Sequence, residues 1–389
     1  MKTNIRFEPG RRDVLRMLGA AGLGIAGAGL VALPGCGVYA AEDGEAFAAW
    51  EFPGGERIPE RVVARAALLG ASPHNTQPWG VAISPAAVEL RARFDRNLGT
   101  MDGLRRELHI GLGCAVENMA IAAAAVGRAA TVALLPDPTD PALVARVALT
   151  PATARPSALF DAIPNRHTNR GPYLDGAAAP GLEAALRGLQ DERSLEFHWL
   201  DSLGERARFR QETIDATEAI TGDADMSRDS DRWYRHTAEE IVANRDGTSI
   251  DAAGLGASER TLGKAGARPS EESANTYWLD ATRTRHTTGS AFAILSSTTE
   301  STRVDQLRVG RVYQRMHLWA TSQGLGMQPL NQLAERQDRE EAQKLEPRFT
   351  RALASFVGSG RRAQMLFRIG YPWERAFASA RRPLEWVLS

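Results

Sequence analysis

The loop at residues 71–79, with the sequence ASPHNTQPW, carries hydroxyl, imidazole and amide groups between a predicted helix end and a predicted strand. Its two prolines restrict the backbone. Asn75 and Gln77 each present donors and an acceptor, which suits the edge of a heterocycle with alternating N–H and C=O groups. The same amides could instead cap backbone groups of a rigid polar turn. Composition alone leaves both interpretations open.

A second segment, NRHTNRGPY at 165–173, concentrates cationic groups. Arg166, His167 and Arg170 bring donors together, and Thr168 adds a hydroxyl. Such a cluster suits a phosphate, because charge-assisted hydrogen bonds from arginine are strong and selective in geometry. A solvated basic loop is the alternative interpretation. A third basic group, the pair at 381–382, lies near the C-terminus.

Other kinds of chemistry lack their sequence patterns. There is no HExxH, Walker or GxSxG motif, and the seven histidines have no metal-ligand spacing, so no metal site is predicted. Cys114 lies within an apolar helical pattern and is expected to be a core thiol. Lys+Arg and Asp+Glu both number 47, and this balance speaks against a general electrostatic grip on nucleic acid.

The elements that position these segments follow from periodicity, and with 43% hydrophobic residues the chain can form a packed core. A helix is predicted from Pro59 to Gly70, and strands are predicted at Val81–Ile83 and Val88–Phe94. A long helix with one buried face is expected from about Glu107 to Val126. The strand Thr131–Leu135 follows it.

Part of this pattern recurs later in the chain. Five residues from Gly113 to Gly127 match residues from Gly310 to Gly324 at a constant offset of 197. The earlier helix starts, Pro59 and Pro180, differ by only 121, so the second repeat would carry an insertion of 197 − 121 = 76 residues. The segment 222–298, rich in Gly, Ser, Asp and Arg, is the candidate insertion. The matches favour an internal duplication.

The first forty residues have the layout of a secretory signal. Arg11 and Arg12 precede an uncharged Gly/Ala/Leu-rich run and then small residues, as in a twin-arginine signal. Cleavage after Ala40 would leave 42 basic and 45 acidic residues. A transmembrane anchor and a lipidated Cys36 are the alternatives. The run GLGIAG at 22–27 spells GxGxxG but follows no predicted strand, so we do not expect a dinucleotide site there.

Several stretches together resemble the flavin-dependent nitroreductase superfamily. Residues 72–79 (SPHNTQPW) are similar to that family's S-P-x-x-N-x-Q-P-W loop, and 166–170 (RHTNR) resemble its R-x-S/T-x-R/K opening. Late in the chain, LGMQPL at 325–330, GYP at 370–372 and RRPLE at 381–385 match further elements of the family.

The order of these motifs is unusual for the family. In an ordinary nitroreductase the R-x-S-x-R segment comes before the loop, whereas here it follows about ninety residues later. This order is similar to the Acg-type branch, in which one chain imitates the usual homodimer. The run from Asp95 to Ala115 resembles that branch's D-R-x-L…D…R-E-L-x-I…G-A-A pattern. The resemblance implies an α+β, nitroreductase-like fold with two pseudo-repeats, mixed β-sheets packed by long helices, and a monomer.

The predicted organisation has four parts. A twin-arginine signal peptide occupies 1–40 and a linker occupies 41–55. The first nitroreductase-like half is expected at 56–160. The second is expected at 161–389, with the insertion at about 222–298 as a lid.

By this resemblance, one FMN would lie between the halves. Arg166, Thr168 and Arg382 would hold its phosphate and ribityl end, with Arg381 and His167 nearby. The other implied contacts come from Arg170 at N1/O2, from Ser72, Asn75 and Gln77 at the ribityl chain and ring edge, and from Gln328, Pro329 and Leu330 at the ring. A cation at N1/O2 stabilises anionic reduced flavin. The first half lacks an R-x-S-x-R of its own, so one site per chain is expected.

The implied function is an FMN oxidoreductase that passes electrons to a nitroaromatic, a quinone or another small acceptor. A different class is a flavin-sequestering protein with a lid and little turnover. A third interpretation is a flavin dehydrogenase acting on a small modified peptide or amino acid. The expected partners are small-molecule electron donors and acceptors and the twin-arginine export machinery. The expected location is periplasmic, where NAD(P)H is scarce.

Overall fold

The computed structural model describes residues 39–389. The predicted twin-arginine pair, the GxGxxG run and Cys36 lie outside the described residues. Within residues 39–389 the regular elements are helices and antiparallel sheets, so the prediction of an α+β fold is confirmed.

The first sheet follows helix α1, which begins at Pro59 and ends at Ala67. The sheet has four strands in the order β1-β2-β4-β3, and helix α2 connects its two hairpins. These elements are β1 (Trp79–Ser84), β2 (Ala87–Ala92), α2 (Arg106–Ala125), β3 (Arg128–Leu134) and β4 (Leu143–Pro151). All their pairings are antiparallel. Parallel pairing, which makes this sheet mixed, occurs at its edge, where Val81 pairs with Leu388 near the C-terminus.

The second sheet repeats this plan. Two short helices, α3 (Ala158–Ala162) and α4 (Leu182–Arg187), precede it. Its strand order is β5-β8-β10-β9. This is the order of the first sheet if β5, β8, β9 and β10 are the counterparts of β1, β2, β3 and β4. The core elements are β5 (Glu196–Leu200), β8 (Ala291–Thr298), α10 (Arg303–Ser322), β9 (Gly326–Pro329) and β10 (Arg361–Gly370). Helices α11 (Gln332–Gln343) and α12 (Arg348–Val357) lie between β9 and β10.

Helices α2 and α10 form the centre of the molecule, and each has 20 residues. Their backbones approach closely in a reciprocal way. A Cβ on Gly113 would lie 2.1 Å from the Leu307 carbonyl oxygen, and a Cβ on Gly310 would lie 2.0 Å from that of Ile110. Contacts that repeat with the roles exchanged indicate pseudo-twofold symmetry. This pair therefore confirms the two pseudo-repeats. Helix α2 is apolar and long enough to cross a membrane, but 78% of its most apolar stretch is buried in this core.

The insertion lies between β5 and β8. It begins with the long helix α5 (Leu203–Thr221) and continues through four shorter helices and a two-stranded parallel pair. These are α6 (Ala224–Asp231), β6 (Tyr234–Arg235), α7 (Ala238–Asn244), β7 (Thr248–Ser249), α8 (Ala257–Ala265) and α9 (Glu271–Ala281). The predicted end at 298 is wrong, because 291–298 is the buried central strand β8. Its first five residues, AFAIL, form a continuous apolar run without the alternation that marks a strand, because the strand is covered on both faces.

Two predicted boundaries also change. Residues 41–55 are not a free linker: a 3₁₀ turn at Glu45–Trp50 packs on the body, and Phe52 is buried. The end of the chain, 371–389, leaves the second half and returns to the first, where the Val81 N–H donates to the Val387 carbonyl at 2.7 Å. Because of these crossings, residues 39–389 form one compact unit rather than two separate halves.

Candidate functional site

A cavity of about 460 Å³ lies between the helix pair and the insertion. This volume is in the range of about 300–1,000 Å³ that is usual for small-molecule and cofactor sites. Half of its lining residues belong to the insertion, between Ser227 and His286. The insertion therefore covers the cavity.

The loop 71–79 forms one wall of the cavity through Ala71, Ser72, Pro73 and His74. Its backbone is unusual, since three non-glycine residues have positive φ: His74 at 43°, Asn75 at 57° and Gln77 at 51°. Such conformations cost about 1–3 kcal/mol each and persist only where surrounding contacts impose them. The Ser72 hydroxyl provides one such contact, because it accepts the Gln77 N–H at 2.8 Å.

The side-chain amides of Asn75 and Gln77 supply most of the other contacts that hold the loop in this conformation. Asn75 donates to the carbonyls of Gly247 at 2.9 Å and Ala380 at 2.8 Å. Gln77 donates to the Arg245 carbonyl at 2.7 Å. Each amide thus ties the loop to the insertion, and Asn75 also ties it to the C-terminal segment. Neither residue lines the cavity, so the interpretation in which the amides cap the chain replaces the predicted contact with a ring edge.

Arg166 is the first arginine of the basic segment, and it is buried with a poorly satisfied charge. Its guanidinium donates only long hydrogen bonds, 3.4 Å each, to His317 Nδ1 and the Leu69 carbonyl. Its Nε has no partner in the described part of the chain. Burial lowers its pKa. Arg166 lies beside Cys114 and Tyr313, which belong to the cavity wall.

Arg381 is buried near Arg166 and carries a second such charge. It donates to the Asn75 side-chain oxygen and, at 3.3 Å, to the Gly70 carbonyl. Burial and then Arg166 lower its pKa well below the usual value, with no carboxylate in the described residues to offset either effect. Two buried cations without an anion are costly. The pair therefore has the electrostatics of a site for an anionic group.

Arg382 does not join this pair. Its N–H donates to Gln77 Oε1 at 2.9 Å, and its guanidinium donates to the Gln77 carbonyl at 2.5 Å. Burial lowers its pKa to about 9. The sequence predicted that Arg382 holds a phosphate with Arg381 nearby, whereas in the structure it is Arg381 that lies near Arg166 while the Arg382 guanidinium contacts the Gln77 carbonyl.

Thr168 and Arg170 lie on the cavity wall as predicted. Arg170 donates to the Ala252 carbonyl of the insertion at 3.1 Å, and burial lowers its pKa. The insertion touches this segment directly, since a Cβ on Gly254 would lie 2.2 Å from the Arg170 carbonyl carbon. His74 is close enough for burial and Arg170 to lower its pKa to about 4. A neutral His74 therefore faces the cavity beside a cation.

Of the remaining predicted site residues, some line the cavity and others do not. Gln328 and Pro329 line the cavity, whereas the side chain of Leu330 is in the core. His167 packs its ring edge-on to Trp50 at a centroid distance of 4.4 Å, away from the cavity. Burial and the nearby Arg166 lower the His167 pKa to about 3, so the imidazole is neutral.

The sequence gave no reason to select several other wall residues. Tyr277 and Trp278 come from α9, inside the segment 222–298 that the sequence marked only as a candidate insertion. Glu107 and Glu335 form an acidic end of the cavity, and they lie 228 positions apart. Only the start of α2 offered a signal, because Glu107 belongs to the R-E-L stretch of the Acg-type pattern.

Comparison with known proteins identifies relatives along most of the chain. "Putative NAD(P)H nitroreductase Rv3131" of Mycobacterium tuberculosis is 28% identical over 346 residues, which are 85% of this chain and 90% of that protein. "Putative NAD(P)H nitroreductase acg" of the same organism is 33% identical over 124 residues, or 31% of this chain and 38% of that protein. No protein-family model matches the chain.

Solved structures also align with it. The FMN-dependent nitroreductase NfnB from Mycobacterium smegmatis, in complex with NADPH, aligns over 60% of this chain and 97% of its own, with 14% identity and a TM-score of 0.38. A nitroreductase with bound FMN from Bacteroides fragilis aligns over 59% and 95%, with 12% identity and a TM-score of 0.35.

The relative that extends over 85% of the chain confirms the sequence-based resemblance to nitroreductases. The chain is thus similar over most of its length to the mycobacterial Rv3131.

Proposed function

We propose that this nitroreductase-like oxidoreductase binds FMN in the cavity and passes electrons from a reduced donor to a nitroaromatic, a quinone or another small acceptor. The observation that carries the proposal is the pair of buried, uncompensated guanidinium groups of Arg166 and Arg381, of which Arg166 lies behind the wall residues Cys114 and Tyr313 of a cavity of cofactor size. A phosphate supplies the missing negative charge.

The residues present fit this cofactor. Arg166 and Arg381 would hold the phosphate, with the Thr168 hydroxyl at the adjoining wall. The unpartnered Nε atoms of both arginines leave donors available for phosphate oxygens. Ser72 and Arg170 line the cavity beyond Thr168 and would face the remainder of the cofactor.

When bound, the flavin supplies hydride and electron transfer, and the protein supplies binding, orientation and electrostatics. Arg170 is the main electrostatic contribution at the wall, because a buried cation stabilises negative charge that develops on a ligand. His74 stays neutral at physiological pH and does not compete with Arg170 for that charge. The apolar groups of Ile110, Tyr277 and Trp278 exclude water from the same space.

The donor is proposed from the relatives, whose names include NAD(P)H. The cover formed by the insertion supports a second function, namely sequestration of FMN with little turnover. In that case Ala252 and Gly254, which hold the insertion against the Arg170 segment, would keep the donor away from the cofactor. The two functions share the binding site and differ in access.

An absorption spectrum of the purified chain from Ala41, taken before and after anaerobic addition of NADPH, tests the proposal. We expect a yellow protein that is bleached within seconds. A yellow protein that NADPH fails to bleach, but that dithionite does bleach, supports sequestration or a different donor. A colourless protein that also fails to bind added FMN contradicts the whole assignment.

We also propose export by the twin-arginine route, on the strength of Arg11 and Arg12 and the apolar run after them. The prediction is periplasmic protein in the wild type and cytoplasmic retention when both arginines are replaced by lysine. Labelling with a radioactive fatty acid distinguishes a lipidated Cys36 from cleavage after Ala40. Equal export of the wild type and of the variant with both arginines replaced would contradict the twin-arginine route.

A further inference from the structure

The acidic end of the cavity contains two carboxyl groups that the proposed cofactor does not use. Glu107 lies in the first turn of α2, and Glu335 lies in the first turn of α11. Both line the cavity, and Glu335 is 5% exposed. Glu335 Oε2 is buried without a hydrogen-bond partner in the part of the chain that the structure describes. Burial in a medium of low dielectric constant disfavours the charged form of such a carboxyl, so Glu335 favours its protonated form.

The surroundings hold too little positive charge to ionise both groups. Arg106 is the buried cation of this region, and it donates to Glu107 at 3.1 Å and to Asp338 at 2.7 Å. Asp102 is also close, and its carboxylate is occupied in accepting the N–H groups of Glu107 and Leu108. One arginine thus faces four carboxyl groups, although Arg362 shares Asp338 at 2.6 Å.

The proton belongs to Glu335. Burial, and then Glu107, raise the pKa of Glu335 well above its usual value. Burial also raises the pKa of Glu107, but the ion pair with Arg106 opposes this effect and favours the charged form of Glu107.

We propose that Glu335, which lines the cavity together with Glu107, is the proton donor to the acceptor that is reduced in this cavity. The inference rests on the proposed FMN oxidoreductase function. A quinone that receives a hydride from the reduced cofactor gains two electrons and one proton. Its second carbonyl oxygen then takes the proton of Glu335, so that one O–H bond forms and one breaks. The carboxylates left behind regain a proton from solvent.

The carboxyl pair, contributed by α2 and α11, lines the same cavity as Arg170 and His74. The other charged or titratable groups that line it are Cys114, Asp231, Tyr234, Tyr277, His286 and Tyr313. Burial, with Arg368 and other arginines, lowers the pKa of His286 well below its usual value, so it carries no proton to donate near neutral pH.

The test compares Glu335→Gln with Glu341→Gln, the same substitution on an exposed position of the same helix. Infrared spectra of the cofactor-free proteins at pH 7 show whether a protonated carboxyl is present, since its C=O band shifts in D₂O. We expect this band in the wild type and in Glu341→Gln and its loss in Glu335→Gln.

The second readout is oxidation of the dithionite-reduced, FMN-loaded protein by two acceptors. Glu335→Gln should slow reduction of a benzoquinone by about 100-fold, a usual contribution of general acid catalysis. The rate of reduction of ferricyanide, which accepts electrons without protons, should change less than twofold. Equal slowing of both acceptors, no slowing of the quinone, or absence of the infrared band in the wild type would overturn the inference. Failure of the proposed function is distinct, because the protein would then bind no FMN.

Discussion

At the scale of single residues, the burial of Arg166 without an anion is the strongest evidence for a phosphate site. Replacing Arg166 by Ala removes one or two charge-assisted hydrogen bonds to the phosphate. We expect FMN affinity to fall by about 2–4 kcal/mol. The measurement is a titration of the cofactor-free protein followed by flavin fluorescence. Arg351→Ala, at an exposed helical position, is the matched control and should bind as the wild type does.

In the absence of FMN, Arg166→Ala should leave the free energy of unfolding similar or raise it. Removing an uncompensated buried charge relieves a desolvation cost, so cofactor-free Arg166→Ala is expected to unfold at a similar or higher denaturant concentration. A variant with unchanged FMN affinity, or one that loses affinity only because it unfolds, would count against the assignment of the phosphate site.

Buried histidines make stability depend on pH. Burial, with Arg303, lowers the pKa of His109 from 6.5 to about 4. The folded state then binds fewer protons than the unfolded state between these values, so stability falls as pH drops through this window. Between pH 7.5 and 4.5, the wild type should lose about 2–3 kcal/mol more than His109→Gln.

Denaturant titrations at both pH values measure this difference. Other titrating groups, including the raised carboxyl Glu335, contribute equally to the two proteins and cancel. Between pH 7.5 and 8.5, the His109 imidazole is neutral in both the folded and the unfolded state. The difference in stability between the two proteins should therefore stay constant in this range. If the free energies of unfolding of the two proteins fell equally as the pH is lowered, His109 would not be held neutral by the fold.

At the scale of elements, the contact between α2 and α10 depends on two glycines. A Cβ at either Gly113 or Gly310 would lie about 2 Å from a backbone carbonyl oxygen of the facing helix. Backbone cannot yield as a flexible side chain does, so the helices must separate. Gly113→Ala and Gly310→Ala should each destabilise the protein by at least about 3 kcal/mol, at the upper end of the cost of overpacking.

Thermal unfolding is the appropriate measurement, and Gly204→Ala is the control because no atom lies within 4 Å of its added Cβ. Gly204 is an exposed residue in the first turn of α5, where alanine should be neutral or slightly stabilising. If one of the two glycines tolerates alanine and the other does not, the pseudo-twofold contact is less symmetric than the reciprocal distances indicate.

The central helix pair could be predicted from the sequence, but the strands around it only in part. Periodicity predicted α2 to within one residue at each end, and the offset of 197 relates the bounds of α2 and α10. Strand β8 was missed, since burial on both faces removes the alternation that marks a strand. The contacts of Arg381 and Arg382 also could not be predicted, because a one-residue difference in an extended segment is decided by tertiary partners.

The acidic pair could not be found by local pattern at all. Glu107 and Glu335 come from different repeats, and a lone glutamate in the first turn of a helix is common, since it favours the positive end of the helix dipole. Only the packing of α11 against the start of α2 brings them together at the cavity. Sites that need residues from both repeats are therefore the part of this molecule that sequence reasoning misses.

At the scale of the whole molecule, the pseudo-twofold arrangement bears on oligomeric state. In a symmetric dimer, the same helical surface of each subunit would pack against its copy. Here α2 and α10 belong to one chain and are already covered by each other, and each contributes fully buried side chains such as Leu112 and Val312. The surface that would otherwise require a second subunit is therefore satisfied internally.

We accordingly expect the mature chain to be a monomer. Sedimentation equilibrium over a wide concentration range should give a single species with the mass of one chain, with and without FMN. Because the proposed phosphate site would use Arg166 from the second half, a loop from the first half and Arg381 from the returning C-terminus, one chain would also suffice for one complete site. FMN should therefore saturate at one per chain. A stable dimer that binds one FMN between two chains would contradict both expectations, because the site would then need residues that a single chain cannot bring together.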